Sequence, residues 1–147
     1  MATERFPPDS PILVAESGAA SKAYLRRAFQ EFQFTNVTYL DDSSEILRVG
    51  RQKKFSLIFV FTSLYASNAY DIYFLIRQEG KNKETPIVIL YSPGEEAIAK
   101  RASIMGANGV IERPISTEVL HQTLEECLNM RVATISEELE EKLGESM

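Results

Sequence analysis

Residues 56–67 read SLIFVFTSLYAS, and the first half of that stretch decides the architecture. Leu57 to Phe61 are apolar at every position, so neither face of the segment is patterned for water. A strand with one wet face would alternate, whereas a run apolar on both faces fits a parallel sheet covered on each side. Ile12 to Ala15 and Ile87 to Tyr91 have the same character, Val110 to Ile111 is a shorter version, and Val37 to Leu40 follows an Asn turn as a fifth.

Segments of helical period separate these runs. Leu25, Ala28, Phe29 and Phe32 recur at i, i+3, i+4, i+7, one face of a helix. Ile46, Leu47 and Val49 predict a shorter helix ending at Gly50, and Ile72, Phe74, Leu75 and Ile76 a third, over Asp71 to Arg77, stopped by Glu79-Gly80. A fourth is predicted to start at Pro93, with Glu95 and Glu96 at its positive end and Gly106 closing it. The last runs through Leu120, Leu124, Cys127 and Leu128, capped by Ser116 or Thr117. Five strands, each followed by a helix, predict an α/β fold: a flavodoxin-like, doubly wound, five-stranded parallel sheet with five helices, plus a C-terminal helical extension. Ligands and chemistry in such sheets gather at the carboxyl ends of the strands. Glu16, Ser17, Phe61, Thr62, Ser63, Tyr91, Ser92, Glu112 and Arg113 fall there.

Composition narrows the function classes. The 147 residues fit one globular domain, 44% hydrophobic and 25% charged. Of the net charge of -5, the tail glutamates 137, 138, 140, 141 and 145 against Lys142 account for -4, leaving about -1 for the rest. A near-neutral domain lacks the basic footprint of phosphate-backbone binding, so no nucleic-acid partner is expected. The single cysteine excludes an internal disulfide and suits a reducing compartment. No apolar run is long enough to span a bilayer and no signal-peptide core precedes the domain, so no membrane role and a cytoplasmic location are expected.

The spacing of ILVAES (12–17), FSLIFVF (55–61), TPIVILYS (85–92) and GANGVIERP (106–114) resembles the receiver domain of bacterial two-component response regulators, from about residue 11 to 130. GANGVIERP is the most specific piece, similar to the family's small-residue turn, short strand and basic residue before proline. The resemblance implies Mg²⁺-dependent phosphorylation of an aspartate, and its parts can be placed one by one. The two metal-holding acids at the end of the first strand fall on Glu16 and Ser17, so one carboxylate remains. A hard cation such as Mg²⁺ needs several oxygen ligands, and no metal is therefore expected. The phosphoacceptor falls on Phe61, which has no nucleophilic oxygen. The switch Ser/Thr falls on Tyr91, with Ser92 beside it, and the aromatic switch on Val110. The invariant lysine falls on Arg113, before Pro114, where the family has a cis peptide. The resemblance thus implies a degenerate receiver whose pocket is filled by a ring, with Glu16 and Arg113 facing each other as an ion pair or standing as separate solvated charges.

Several features keep a plainer reading. Phe61 is an ordinary core ring if the register is off by one. His121 reads as a surface residue and Cys127 as core filling. Thr62 or Ser63 could carry a modification only through an outside kinase. In the aromatic group Tyr65, Tyr70, Tyr73 and Phe74, Phe74 is expected in the core and at least one tyrosine on the surface. The turn ESGAASKA (16–23), with Ser17, Gly18 and Ser21, allows a second class of function, a flavodoxin-like small-ligand or nucleotide site. No nucleophile–base pair, P-loop or CxxC motif suggests an enzyme, and no cofactor is expected.

The division expected is a lead over 1–10, the receiver-like domain over 11–130 and an acidic amphipathic tail over 131–147. In that tail Leu128, Val132, Ile135, Leu139 and Leu143 make an apolar stripe, and Thr134 with Glu137 makes a capping box that starts a fresh helix. The stripe could pack on the domain, pair with a second copy or take a separate partner. With no recognisable output module, the chain is expected to act by contact with a protein, itself included; the resemblance implies the last two helices and the strand between them (Val110 and Val119) as the surface, and the tail (Leu139 and Leu143) is the other candidate.

Overall fold

The structure, a computed structural model, describes residues 4–16, 18–62, 69–78 and 80–145. Five strands, β1 (Ile12–Ala15), β2 (Val37–Leu40), β3 (Leu57–Phe61), β4 (Ile87–Tyr91) and β5 (Gly109–Glu112), form one parallel sheet in the order β2-β1-β3-β4-β5. Helices α1 (Ala19–Glu31), α2 (Ser43–Gln52), α3 (Ala69–Gln78), α4 (Glu96–Ile104) and α5 (Thr117–Leu128) follow them, and α6 (Ile135–Glu145) extends the chain. This is the flavodoxin-like plan expected from the sequence.

The period-two geometry of the central strands splits the core into two layers. Leu57, Phe59 and Phe61 join Ile12, Val14, Val88 and Leu90 under Leu25, Phe29, Leu120 and Leu124 of α1 and α5. Ile58 and Val60 join Leu13, Ile87 and Ile89 under Ile46, Ile72, Ile76 and Ala102 of α2, α3 and α4. Every residue of β1 and β3 is buried, which is the physical content of a strand apolar on both faces.

At the amino end of the sheet, Asn82 is completely buried and ties three segments together. Its Oδ1 accepts from the Phe55 N–H and the Thr85 hydroxyl, both at 2.8 Å, while its Nδ2 donates to the carbonyls of Gly50 and Lys53, both at 2.7 Å. Just before it, Gly80 adopts φ +83 and passes so close to Arg51 that a Cβ would lie 2.6 Å from its Cα. Only glycine fits there.

Several expectations are corrected here. Helix α2 does not end at Gly50; it runs to Gln52, because the Gly50 carbonyl is satisfied by Asn82 and the glycine is buried against Ile76. Helix α4 starts at Glu96 rather than Pro93, since Gly94 at φ +97 makes a turn in which Glu95 N–H donates to the Ser92 carbonyl. Phe74 is 40% exposed, and its neighbour Tyr73 is buried instead, with its hydroxyl reaching the Met105 carbonyl. His121 is not a free surface group: its ring packs 5.5 Å from Phe32 and its Nε2 meets the Val132 carbonyl at 2.5 Å. Cys127 is half-buried, and burial pushes its thiol up to about 11.

The chain on either side of the sheet closes on itself. Phe6 N–H donates to the Arg131 carbonyl and Arg131 N–H to the Glu4 carbonyl, at 2.8 and 2.7 Å, so Phe6 and Val132 are buried beside α1 and α5. Helix α6 then begins with the predicted capping box: Glu137 N–H donates to Thr134 Oγ1 at 3.1 Å and Thr134 N–H to Glu137 Oε2 at 3.4 Å.

Candidate functional site

Strand β3 delivers Phe61 to the carboxyl edge of the sheet with no exposed surface at all, paired in register with Leu90. Strand β1 ends one residue before Glu16, which is equally buried, and β5 ends one residue before Arg113. The guanidinium carbon of Arg113 lies 5.2 Å from the centroid of the Phe61 ring, a cation–π distance. From there Nη1 donates to Glu16 Oε2 at 3.1 Å and to Ser21 Oγ at 2.8 Å, and Nη2 donates to Ser92 Oγ at 2.6 Å. The other oxygen of Glu16 accepts the Gly18 N–H at 2.9 Å. One cation thus bridges β1, α1, the loop after β4 and β5 over a phenyl ring.

A second carboxylate stands next to this group. Glu95 Oε1 accepts from the Thr62 hydroxyl at 2.5 Å and from the Ser92 N–H at 2.8 Å. Burial opposes ionisation of Glu95, but the bonds from Thr62 and Ser92 and the charge of Arg113 outweigh it and leave its pKa below the usual value. Among the described residues no three Asp, Glu, His or Cys side chains come together closely enough to hold a metal ion. Glu16 and Glu95 are tied to N–H and O–H donors of the protein. An open cleft of about 420 Å³ lies alongside, lined by Ala20, Ser21, Tyr24, Pro93, Arg113, Pro114 and Ile115.

The sequence pattern of the response regulator receiver domain matches residues 12–125. The chain belongs to that family. A probable chemotaxis protein CheY from Rhizobium etli is 20% identical over 114 residues, 78% of this chain and 88% of that protein. The receiver domain of a sensor histidine kinase from Pseudomonas aeruginosa, solved with a magnesium ion coordinated in its active site cleft, superposes with a TM-score of 0.73 at 16% identity, covering 82% of this chain and 98% of that one. The signal receiver domain of a putative Luxo repressor protein from Vibrio parahaemolyticus gives 0.71 at 17% identity, covering 92% and 97%.

In this receiver the structure brings Glu16, Phe61, Ser92 and Arg113 into one contact network, and the Arg113–Pro114 bond is cis. Tyr91 ends β4 half-buried. Val110 and Val119, 38% and 48% exposed, lie on β5 and α5. Ser17, Ser63 and Tyr65 lie outside the described residues, as does the Tyr70 side chain. Two participants escape a reading by strand ends alone. Ser21, in the first turn of α1, was noted only as part of a possible ligand turn, and its bond to Arg113 instead makes it a member of this network. Glu95, read from the sequence only as an acid at the positive end of a helix, has one signal that points to this place, the S-x-x-E spacing with Ser92 in which the acid reaches back to the first residue's N–H.

Proposed function

We propose that this is a phosphorylation-independent receiver, acting in two-component signalling as a protein-interaction module and not by catalysis. The observation that carries the reading is Phe61. It occupies the strand end where the resemblance would put the phosphoacceptor, fully buried, with Arg113 laid over its ring. A phenyl group contributes roughly 1.5–3 kcal/mol by leaving water and supplies no oxygen to a metal or a phosphoryl group.

The surrounding charges support the same reading. Mg²⁺ favours octahedral oxygen coordination with carboxylates and waters. Here Glu16 is engaged by Arg113 and Gly18, and Glu95 by Thr62 and Ser92. A Thr62 phosphoryl group would meet the Glu95 carboxylate, so hydroxyl modification does not replace the missing aspartate. The small-ligand alternative is not favoured either, since the Gly18 N–H, which would greet an anion at the start of α1, already binds Glu16.

Exposed apolar side chains support contact as the mode of action. Val110 on β5 and Val119 on α5 mark the side through which self-association is proposed, and Leu139 and Leu143 mark the tail. Sedimentation of the purified chain with and without Mg²⁺ and a small-molecule phosphodonor tests the reading. The association state is expected to be the same in both. A phosphodonor-dependent shift in the presence of Mg²⁺ would count against it.

A further inference from the structure

Residues 51–54 read RQKK, where α2 leads into β3, and residues 80–84 read GKNKE, where α3 leads into β4. Five cations stand there against Glu79 and Glu84, in a domain whose charge outside the tail is about -1. Asn82 fastens the two segments together through the Phe55 N–H and the Lys53 carbonyl. Arg77 holds the second segment from inside. Its Nη1 donates to the carbonyls of Asn82, Lys83 and Thr85 at 3.3, 3.1 and 2.5 Å, and its Nη2 to Asn108 Oδ1 at 2.8 Å. With those carbonyls turned inward, the segment shows its lysines to solvent. Lys53, Lys54, Lys81 and Lys83 are exposed, and among the described residues the ammonium groups of Lys54, Lys81 and Lys83 have no ion-pair or hydrogen-bond partner. Like charges held on a fixed framework repel one another, and an anionic partner relieves that repulsion.

We propose that this amino-end surface is a docking site for an acidic segment of a partner protein that carries an apolar side chain beside its carboxylates. The lysines set the charge of the partner, and an adjoining cleft sets the rest. That cleft, of about 450 Å³, is lined by Phe6, Pro7, Leu128 and Met130, with Lys54 and Glu84 as its charged residues. Those two charges offset each other, so the cleft suits an uncharged apolar side chain, while Lys53, Lys81 and Lys83 meet the carboxylates. A nucleic-acid strand supplies phosphates but nothing for the cleft, and Phe55, the ring under Lys53, is buried where no base can stack on it. A bilayer fits no better, because Phe6 and Phe55 are 5% and 1% exposed and project no apolar group to enter it. The site is small and its attraction is carried by surface charge, so binding is weak and salt-sensitive. It rests on the reading of the chain as a contact module, and it does not depend on whether the opposite edge of the sheet accepts a phosphoryl group.

The test uses the full chain and labelled probes read by anisotropy: a Glu-rich peptide with one central Leu, the same peptide with Ser for Leu, a Lys-rich peptide with the Leu, and a short DNA duplex. Flotation with vesicles containing anionic lipid runs in parallel. The account expects the first peptide to bind more tightly than every other probe, and no flotation. Its binding should weaken about tenfold or more when Lys54→Glu, Lys81→Glu and Lys83→Glu are combined, and in salt that shortens the Debye length to about 3 Å. The same three lysines changed to Gln should weaken it in the same direction by less, which keeps the test valid if the charge-reversed chain melts early. Arg27→Glu, an exposed cation on α1, should leave binding unchanged. No binding of the first peptide, equal binding of the Ser peptide, or an equal loss with Arg27→Glu would overturn the proposal. Tighter binding of the duplex would make nucleic acid the occupant, and flotation would make it a membrane; either result overturns the proposal as well. A phosphorylated chain that still binds the first peptide would overturn the reading of the strand-end pocket while supporting this one.

Discussion

The guanidinium of Arg113 rests 5.2 Å from the centre of the Phe61 ring while its nitrogens hold Glu16, Ser21 and Ser92. The cation is therefore stacked on the residue that ends β3 and bonded to the residue that follows β1. Removing the ring takes away both a core residue and the floor on which the cation lies. Phe61→Ala is expected to cost about 3–5 kcal/mol, the range for large aromatic truncations in a core. Phe61→Asp is expected to cost at least as much, because it puts a second carboxylate beside Glu16. Urea denaturation midpoints of the two variants check this, and a Phe61→Asp chain as stable as the parent would contradict it.

Glu16 and Arg113 differ in what each leaves behind when the other is removed. Glu16 has no exposed surface, whereas Arg113 keeps 21% of its side chain in water. Arg113→Met strands a buried carboxylate and should cost about 3–5 kcal/mol, while Glu16→Gln, leaving a cation that can reach solvent, should cost less. Arg113→Lys should fall between, since an ammonium cannot span three acceptors as a planar fork does. A double-mutant cycle over the two positions should give a favourable coupling of about 0.5–3 kcal/mol, and a coupling near zero would mean that the pair is incidental.

Asn82 anchors the opposite end of the sheet with all four of its hydrogen-bonding positions filled by Phe55, Thr85, Gly50 and Lys53. Asn82→Ala leaves a buried N–H and two carbonyls without partners, each worth about 1–3 kcal/mol of desolvation. The loss of stability should exceed 2 kcal/mol by thermal or chemical melting. It should also exceed that of Asn36→Ala, whose side chain makes an exposed bond to the Asp9 carbonyl.

The sheet was legible because β1, β3 and β4 are runs apolar on both faces that leave few alternatives, and β3 is buried at every residue. The burial of Phe61 follows the same pattern, since it continues the Leu57, Phe59 alternation into the α1–α5 layer. Periodicity placed Phe74 wrongly, because it gives a helix a buried side without fixing its rotation, and Tyr73 with its bond to Met105 sets that rotation. The same limit hid the tail. Its stripe at Ile135, Leu139 and Leu143 was visible, but not that the glutamates would face Arg5, His121 and Arg131. Those contacts join residues far apart in the chain, and no local pattern encodes them.

Cys127 gives a pH-dependent test. Burial raises its thiol from 9.0 to about 11, so between those values the folded chain keeps a proton that the unfolded chain has lost. Stability from this group is fully present below about pH 9 and falls as pH rises toward 11. The effect, on the order of 1–2 kcal/mol after solvent screening, is the difference between the parent and Cys127→Ser melts across that range. The same thiol should react slowly with alkylating reagents at neutral pH and speed up on unfolding. Fast labelling of the folded chain would contradict the burial.

The most direct measurement is the intact mass of the chain after incubation with acetyl phosphate and Mg²⁺. If Phe61 stands at the acceptor position, as proposed, and Arg113 holds Glu16, the mass should not change. An acid-stable but hydroxylamine-labile gain of one phosphoryl group, mapped to an aspartate, would contradict the account.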